Sequence, residues 1–487
     1  MALLLYTAWS LSTGGEPLVL PSNTDSPGYR RMLSAVLRHP RPHPSLRGQL
    51  MDDVHYIMTM YFGGQANQAL AMINLLFIAK YTGRVAVLPQ FTALHFKGSK
   101  RRADFIYDLA RFYDSTGIIA TALPAYKTSK DSWFRRPKPE TIPCWSTMEI
   151  RTGSSNYHPP TSPEENGLVD HNLKTTFWAV PPLGRSSDDY VISLGAVIAY
   201  LQDKSRQEEY VERAKAEFLP QNWHPEGADL SGIDPATDIK ATFDPFDPFP
   251  PTLDEQFTCV DATYFMGESA PPPPHPQGVP LDTWRTSAWK EVGQYLHFNR
   301  DVEDIANEYL MRIFEVGTLA ELPPFITIHI RRRDFKNFKG HTYTPIENYE
   351  EALAEVREKI QALLDAPEDS DLGGKPRIKR FDIRPSEYKV LVTTDEKDGS
   401  LFRQQVADRG WIVIEHERLG TVKRFGEWYP AMVDGELLAR GQGFVGTTWS
   451  TYSLLAGQRV EYWQGGAQAV AKPGTLPTSN PKQGGRT

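Results

Sequence analysis

One short stretch concentrates the charged chemistry of this chain: Phe325-Ile326-Thr327-Ile328-His329-Ile330-Arg331-Arg332-Arg333-Asp334-Phe335. A guanidinium is a planar fork of N–H donors that can grip a phosphate through two parallel hydrogen bonds, which an ammonium cannot do. The β-branched run at 326–330 follows the proline pair Pro323-Pro324 and predicts a strand. Its period of two puts His329 and Arg331 on one face, at the strand's carboxyl end. In an open α/β sheet, ligands bind at that end, so the arginines there point to an anionic ligand. The plainer alternative is a solvated charge run after a strand.

Two further segments have residue types suited to the same task. Gly63-Gly64-Gln65-Ala66-Asn67-Gln68 lies between a strand and a helix. A glycine pair there lets the backbone approach a ligand and exposes the free N–H groups of a helix start. It is not a dinucleotide fingerprint, and glycines in such turns also serve packing alone. Gly446-Thr447-Thr448-Trp449-Ser450-Thr451-Tyr452-Ser453 offers hydroxyls and amides that can hold phosphate oxygens, or a simple N-cap with incidental threonines. Thr393-Thr394-Asp395 ends another strand in polar atoms. Asp369-Ser370-Asp371 has the letters of a metal-binding pair but sits in a charged loop, and no metal site is expected.

The elements that must position these residues read as alternating strands and helices. A strand at 55–60, a helix at 69–82 closed by Gly83 and a strand at 85–89 make one βαβ unit. In the second half, strands at 325–330, 388–395, 411–414 and 443–446 alternate with helices at 345–364, 399–407 and 430–440, and another helix begins at 450. That order predicts a doubly wound, largely parallel α/β sheet. Helices are also expected at 104–113, 190–219, 284–296 and 302–315. Residues 1–50 read as an irregular lead-in and residues 220–280, ending in Pro271-Pro272-Pro273-Pro274, as a Pro-rich loop or lid. The expected division is an N-terminal Rossmann-like domain over 51–315, a C-terminal one over 316–465, and a disordered tail over 466–487.

Composition narrows the partners. The 487 residues suggest two or three domains, and 40% hydrophobic residues support ordinary cores. A net charge of −7 excludes a general nucleic-acid binder and makes the arginine cluster a local positive site in an acidic background. The two cysteines, Cys144 and Cys259, either pair in an oxidising lumen or remain two inert thiols. No Asn-x-Ser/Thr sequon occurs. Residues 1–11 are apolar but too short to span a bilayer, so a weak N-terminal anchor is the only membrane element the sequence offers.

His329-Ile330-Arg331-Arg332-Arg333-Asp334-Phe335 resembles the His-x-Arg-Arg-x-Asp-Phe signature of the GDP-fucose protein O-fucosyltransferases. Residues 446–453 resemble that family's Gly-Thr-Ser-Val-Ser-Thr-Phe-Ser segment nearly position by position. Residues 63–68 keep the Asn-Gln of its Gly-Arg-Phe-Gly-Asn-Gln turn and lose the arginine. The resemblance covers about 55–95 and 320–460. It implies a GT-B glycosyltransferase, two Rossmann-like domains facing a cleft, moving fucose from GDP-fucose to a protein or glycan hydroxyl in the ER or Golgi lumen. No cofactor is implied. Arg331 is then the expected diphosphate clamp. His329, Asp395, Thr448, Ser450, Thr451 and Tyr452 are expected around the nucleotide, with Gly63, Gly64, Gln65 and Asn67 at the turn. Where some members hold a glutamate in that turn, this chain has amides, which leaves Asn67 as an acceptor-positioning residue and the base unassigned. A GT-B descendant that binds without turnover, or a fucosyltransferase acting on an oligosaccharide, remains open on these residues.

Overall fold

A computed structural model describes residues 26–94, 99–132, 135–146, 166–179, 192–202, 256–261, 263–267, 286–335 and 341–475. The chain divides into two compact units, Met1–Arg300 and Asp301–Thr487. That junction lies earlier than the expected boundary at 315.

The first unit is built on six strands: β1 (Tyr56–Met60), β2 (Val85–Leu88), β3 (Ala120–Ala122), β4 (Glu140–Ser146), β5 (Leu173–Ala179) and β7 (Phe257–Asp261). They lie in the order β3-β2-β1-β7-β4-β5, every pairing parallel. Two short strands, β6 (Ile192–Ser193) and β8 (Met266–Gly267), pair beside this sheet. Strand β1 is wholly buried, so its sequence is apolar on both faces apart from Thr59, rather than an alternation. The helix after it, α1 (Gln65–Thr82), is apolar on almost every side and buried along most of its length. A left-handed Gly83 ends it, as expected.

The second unit repeats the plan with β9 (Phe325–Ile330), β11 (Lys389–Thr394), β12 (Ile412–Val413), β13 (Gly443–Thr447) and β14 (Ala467–Ala471). The order is β12-β11-β9-β13-β14, again all parallel. A separate antiparallel pair joins β10 (His341–Thr342) to β15 (Gly474–Thr475). Helix α2 (Ile346–Asp365) covers one face through Tyr349, Leu353, Val356 and Ile360, which pack with Ile326 and Ile328 in one core. Helices α3 (Tyr429–Ala439) and α4 (Thr451–Gln464) pack together, with Leu438, Ala456 and Val460 around Phe444. Chain order therefore reverses between β9 and β13, and a sheet of this kind opens its ligand crevice where the order reverses, at the carboxyl ends of the strands.

Four expectations are corrected. The lead-in contains a helix, Pro27–Val36, with Ser26 as N-cap and Tyr29, Met32 and Val36 buried at helical spacing; residues 1–25 lie outside the described residues. The helix at 104–113 is two pieces, Ala103–Ile106 and Leu109–Thr116, because Tyr107 turns extended and ends the first and Asp108 caps the second. The Pro-rich stretch holds β7, a central strand, since Phe257, Cys259 and Val260 are buried between β1 and β4. The tail is not disordered from 466: Ala467–Ala471 pairs along β13 over its whole length. The polyproline 271–274, residues 203–219 of the expected helix and residues 476–487 of the tail lie outside the described residues.

Cys144 and Cys259 form a disulfide between β4 and β7, where the two residues are register partners. Of the two readings the sequence left open, the bridged one holds.

Candidate functional site

In the second unit the site grows from the ends of β9 and β13. Their ladder stops at Val445–Ile328, whereas β9 stays paired with β11 to its last residue, Ile330. Beyond that point one hydroxyl does the joining. Thr447 Oγ1 donates to the His329 carbonyl at 2.8 Å and accepts the Arg331 N–H at 2.9 Å. With its single proton committed, it can only accept from the Tyr349 hydroxyl, 2.8 Å away. Thr447 and Tyr349 are thus site residues that the sequence reading passed over. Tyr349's place on the buried face of α2 gave no signal beyond core.

Arg331 follows the strand with its side chain four-fifths buried and its Nε 3.4 Å from Asp395. The Asp395 carboxylate also accepts the backbone N–H groups of Arg332 and Arg333, at 2.8 and 3.2 Å. So Asp395, expected beside the nucleotide, is placed as the clamp that holds the arginine turn in shape. Arg332 is enclosed: its guanidinium lies 3.8 Å from the Phe402 ring centre and 4.2 Å from that of Tyr343, and Nε bonds Glu396 at 2.6 Å. Arg333 is exposed. The three arginines therefore do three different things.

His329 is buried, with its ring tilted 4.9 Å from that of Tyr452 and Nδ1 2.8 Å from Ser453 Oγ. Burial first, and the nearby Arg331 second, push its pKa down to about 3. The ring is neutral at physiological pH. Because the unfolded chain would take up that proton near the ordinary histidine value, His329 lowers stability as pH falls from about 6.5 toward 3.

The hydroxyl segment divides in the same way. Ser450 is the N-cap of α4 and accepts the Ser453 N–H at 3.3 Å. Thr448 Oγ1 donates to the Ala471 carbonyl at 2.6 Å, which ties the turn to the end of β14. Tyr452 donates its hydroxyl to the Ala431 carbonyl on α3. Thr451 opens α4, half-buried. Trp449 holds φ at 63°, a left-handed conformation uncommon for a large side chain, directly before the cap. Gly446 is required by packing, because a β-carbon there would meet Ser453 Cβ at 2.9 Å.

In the first unit, Gly63 has φ 70° and a β-carbon on it would collide with the Asn67 side-chain amide. Asn67 therefore folds back over the turn, and Gly64 is the N-cap position of α1. Gln65 has a buried side-chain oxygen without a hydrogen-bond partner among the described residues. Gln68, which the sequence reading left unassigned, fastens the turn: its amide donates to Gly63 O at 2.7 Å and to Thr92, and it accepts the Thr92 N–H at 2.9 Å. Among the described residues no group of three His, Cys, Asp or Glu is placed to hold a metal, and Asp371 accepts the Gly373 N–H in an exposed loop.

The geometry assembles a guanidinium, a neutral imidazole and a helix start at the reversal point of one sheet. The family profile described as GDP-fucose protein O-fucosyltransferase matches residues 56–462. Among solved structures, POFUT1 with GDP is 14% identical, with 86% of this chain and 99% of that chain covered and a TM-score of 0.44. POFUT1 with GDP-fucose is also 14% identical, covering 86% and 98%, with a TM-score of 0.42. The fucosyltransferase NodZ from Bradyrhizobium is 9% identical, covering 83% and 92%, with a TM-score of 0.33. No curated protein matches the chain.

Proposed function

The chain belongs to the GDP-fucose protein O-fucosyltransferase family and is a fucosyltransferase that draws on GDP-fucose; from that premise we propose that it transfers fucose to a protein Ser or Thr hydroxyl by a metal-independent, inverting displacement. The observation that carries the site assignment is Arg331, set at the carboxyl end of β9 by Thr447 on one side and Asp395 on the other. Breaking the bond from fucose C1 to the β-phosphate leaves a diphosphate, so the main requirement is charge stabilisation at that oxygen. Arg331 supplies it as a fork, and the first amides of α4 add donors next to it. Thr451, the first residue of α4, is assigned to the phosphates, while Thr448 and Tyr452 shape the turn. Asn67 positions the acceptor, with Gly63, Gly64 and Gln65 forming the turn beneath it. The Cys144–Cys259 pair supports placement in an oxidising lumen of the secretory pathway. No described helix is long and apolar enough to cross a membrane.

Calorimetric titration with GDP, followed by a transfer assay with GDP-fucose and a folded acceptor domain, tests this. Binding at micromolar strength, unchanged by EDTA, and transfer to Ser or Thr are expected. Binding without turnover would replace the enzyme by a sugar-nucleotide binder. Loss of GDP binding in EDTA would overturn the metal-independent displacement.

Asn67 carries a prediction of its own. Asn67→Ala is expected to lower transfer about tenfold or more, the worth of one positioning contact, while GDP affinity stays within about twofold. Equal loss of both would move Asn67 to the nucleotide.

A further inference from the structure

Ser453 lies outside the set of residues assigned above to the donor, yet its hydroxyl has an unusually well-defined task. Its oxygen accepts the Thr447 N–H at 3.0 Å and lies 2.8 Å from His329 Nδ1. A hydroxyl has one proton to donate, and among the described residues the His329 nitrogen is the acceptor within reach. The proton on Ser453 therefore goes to Nδ1, and Nδ1 is the lone-pair nitrogen of the ring. A neutral imidazole with Nδ1 unprotonated carries its hydrogen on Nε2. Among the described residues Nε2 has no hydrogen-bond partner within the protein.

We propose that Ser453 is a positioning residue that fixes His329 in the Nε2–H tautomer, so that an uncharged imidazole donates a hydrogen bond to the nucleotide's phosphate. The proposal rests on the donor assignment above for the identity of the acceptor, but not for the tautomer. The opposite tautomer would present a lone pair to a phosphate oxygen, a repulsive arrangement. The chain of bonds is directional: Thr447 N–H to Ser453 Oγ, Ser453 O–H to His329 Nδ1, His329 Nε2–H to the ligand. The same Thr447 holds the Arg331 amide through its hydroxyl. One residue at the end of β13 thus sets both cationic and neutral donors of β9. Protonation does not supply the donor hydrogen, since burial keeps the ring neutral down to about pH 3.

The test is imidazole nitrogen NMR on the intact protein labelled with 15N-histidine, with the His329 signals assigned by their loss in His329→Gln. The wild-type spectrum should show the proton on Nε2 and no titration between about pH 5 and 8. In Ser453→Ala the ring should become a mixture of tautomers, and GDP affinity should fall about tenfold. Ser453→Thr, which keeps the hydroxyl, should restore both. His329→Gln, whose amide N–H reaches about as far as Nε2, should keep more GDP affinity than His329→Asn, whose amide reaches only as far as Nδ1. A wild-type His329 protonated on Nδ1 would overturn the proposal, and so would an unchanged tautomer in Ser453→Ala. If Ser453→Ala does not fold, the wild-type spectrum decides alone. Failure of the wild-type protein to bind GDP would instead strike the donor assignment and leave the tautomer result standing.

Discussion

Arg331→Lys is expected to reduce fucose transfer nearly as far as Arg331→Ala, by about 30- to 1000-fold. Lysine keeps the charge but loses the planar fork, and a departing diphosphate needs two parallel donors in fixed positions. The loss should fall on chemistry rather than folding. The strand that carries Arg331 is held by Ile326, Ile328 and Ile330, all fully buried, and by ladders on both sides. Neighbouring arginines make internal controls. Arg332→Ala empties a slot between Phe402 and Tyr343 and strands Glu396, so it should lower the melting temperature first and activity as a result. Arg333→Ala, on the exposed side, should cost far less in rate than Arg331→Ala. Steady-state rates with melting curves on the same samples separate these cases. Near-normal turnover in Arg331→Ala would remove the centre of the assignment.

Replacing both cysteines by alanine is expected to destabilise the first unit by about 4–5 kcal/mol, on the chain-entropy account of a cross-link between residues 115 apart. That corresponds to a fall in melting temperature of about 10 °C or more for a unit of this size. Alanine is the right replacement because both cysteines are fully buried, and serine would add an unpaired hydroxyl. For the same reason a mild reductant should act on the wild-type protein only as fast as the unit opens. Scanning calorimetry with and without reductant measures both effects. Equal melting temperatures for the double variant and the parent would show that β4 and β7 hold their register without the bond.

Much of this was legible in the sequence. The second unit's strands could be read because each is a short β-branched run between helices of clear period, and the order of elements then dictated a parallel sheet. The arginine stretch was legible for a chemical reason, since period two assigned His329 and Arg331 one face before any contact was known. Residue function was less legible where a side chain's partner lies far along the chain. Asp395 looked like a ligand group because a polar strand end is where ligands sit. Its actual partners, the amides of Arg332 and Arg333, are more than sixty residues away. Thr448 likewise spends its hydroxyl on Ala471, a residue assigned to a disordered tail. Strand β7 was hidden by its neighbours: a five-residue strand, Phe257–Asp261, with Phe257, Thr258 and Val260 favouring it, stands among prolines that promised a loop.

The position of β7 also constrains the order in which the first unit can be made. Strand β7 lies between β1 and β4, yet it leaves the ribosome about 200 residues after β1 and about 110 after β4. At roughly 5–20 residues per second, β1 waits on the order of 10–40 s with one of its hydrogen-bonding edges unfilled. During that interval β1-β2-β3 and β4-β5 can exist only as two separate half-sheets, each with an open apolar edge of the kind that pairs with stray strands. Cys144 waits as a lone thiol for the last 115 residues of that interval, on the order of 6–23 s at the same rate. Arrival of β7 fills both edges at once and brings Cys259 beside it, so closure of the sheet and sealing of the cross-link are one late event. The open sheet edges and the unpaired thiol thus disappear at the same moment of synthesis, when β7 takes its place.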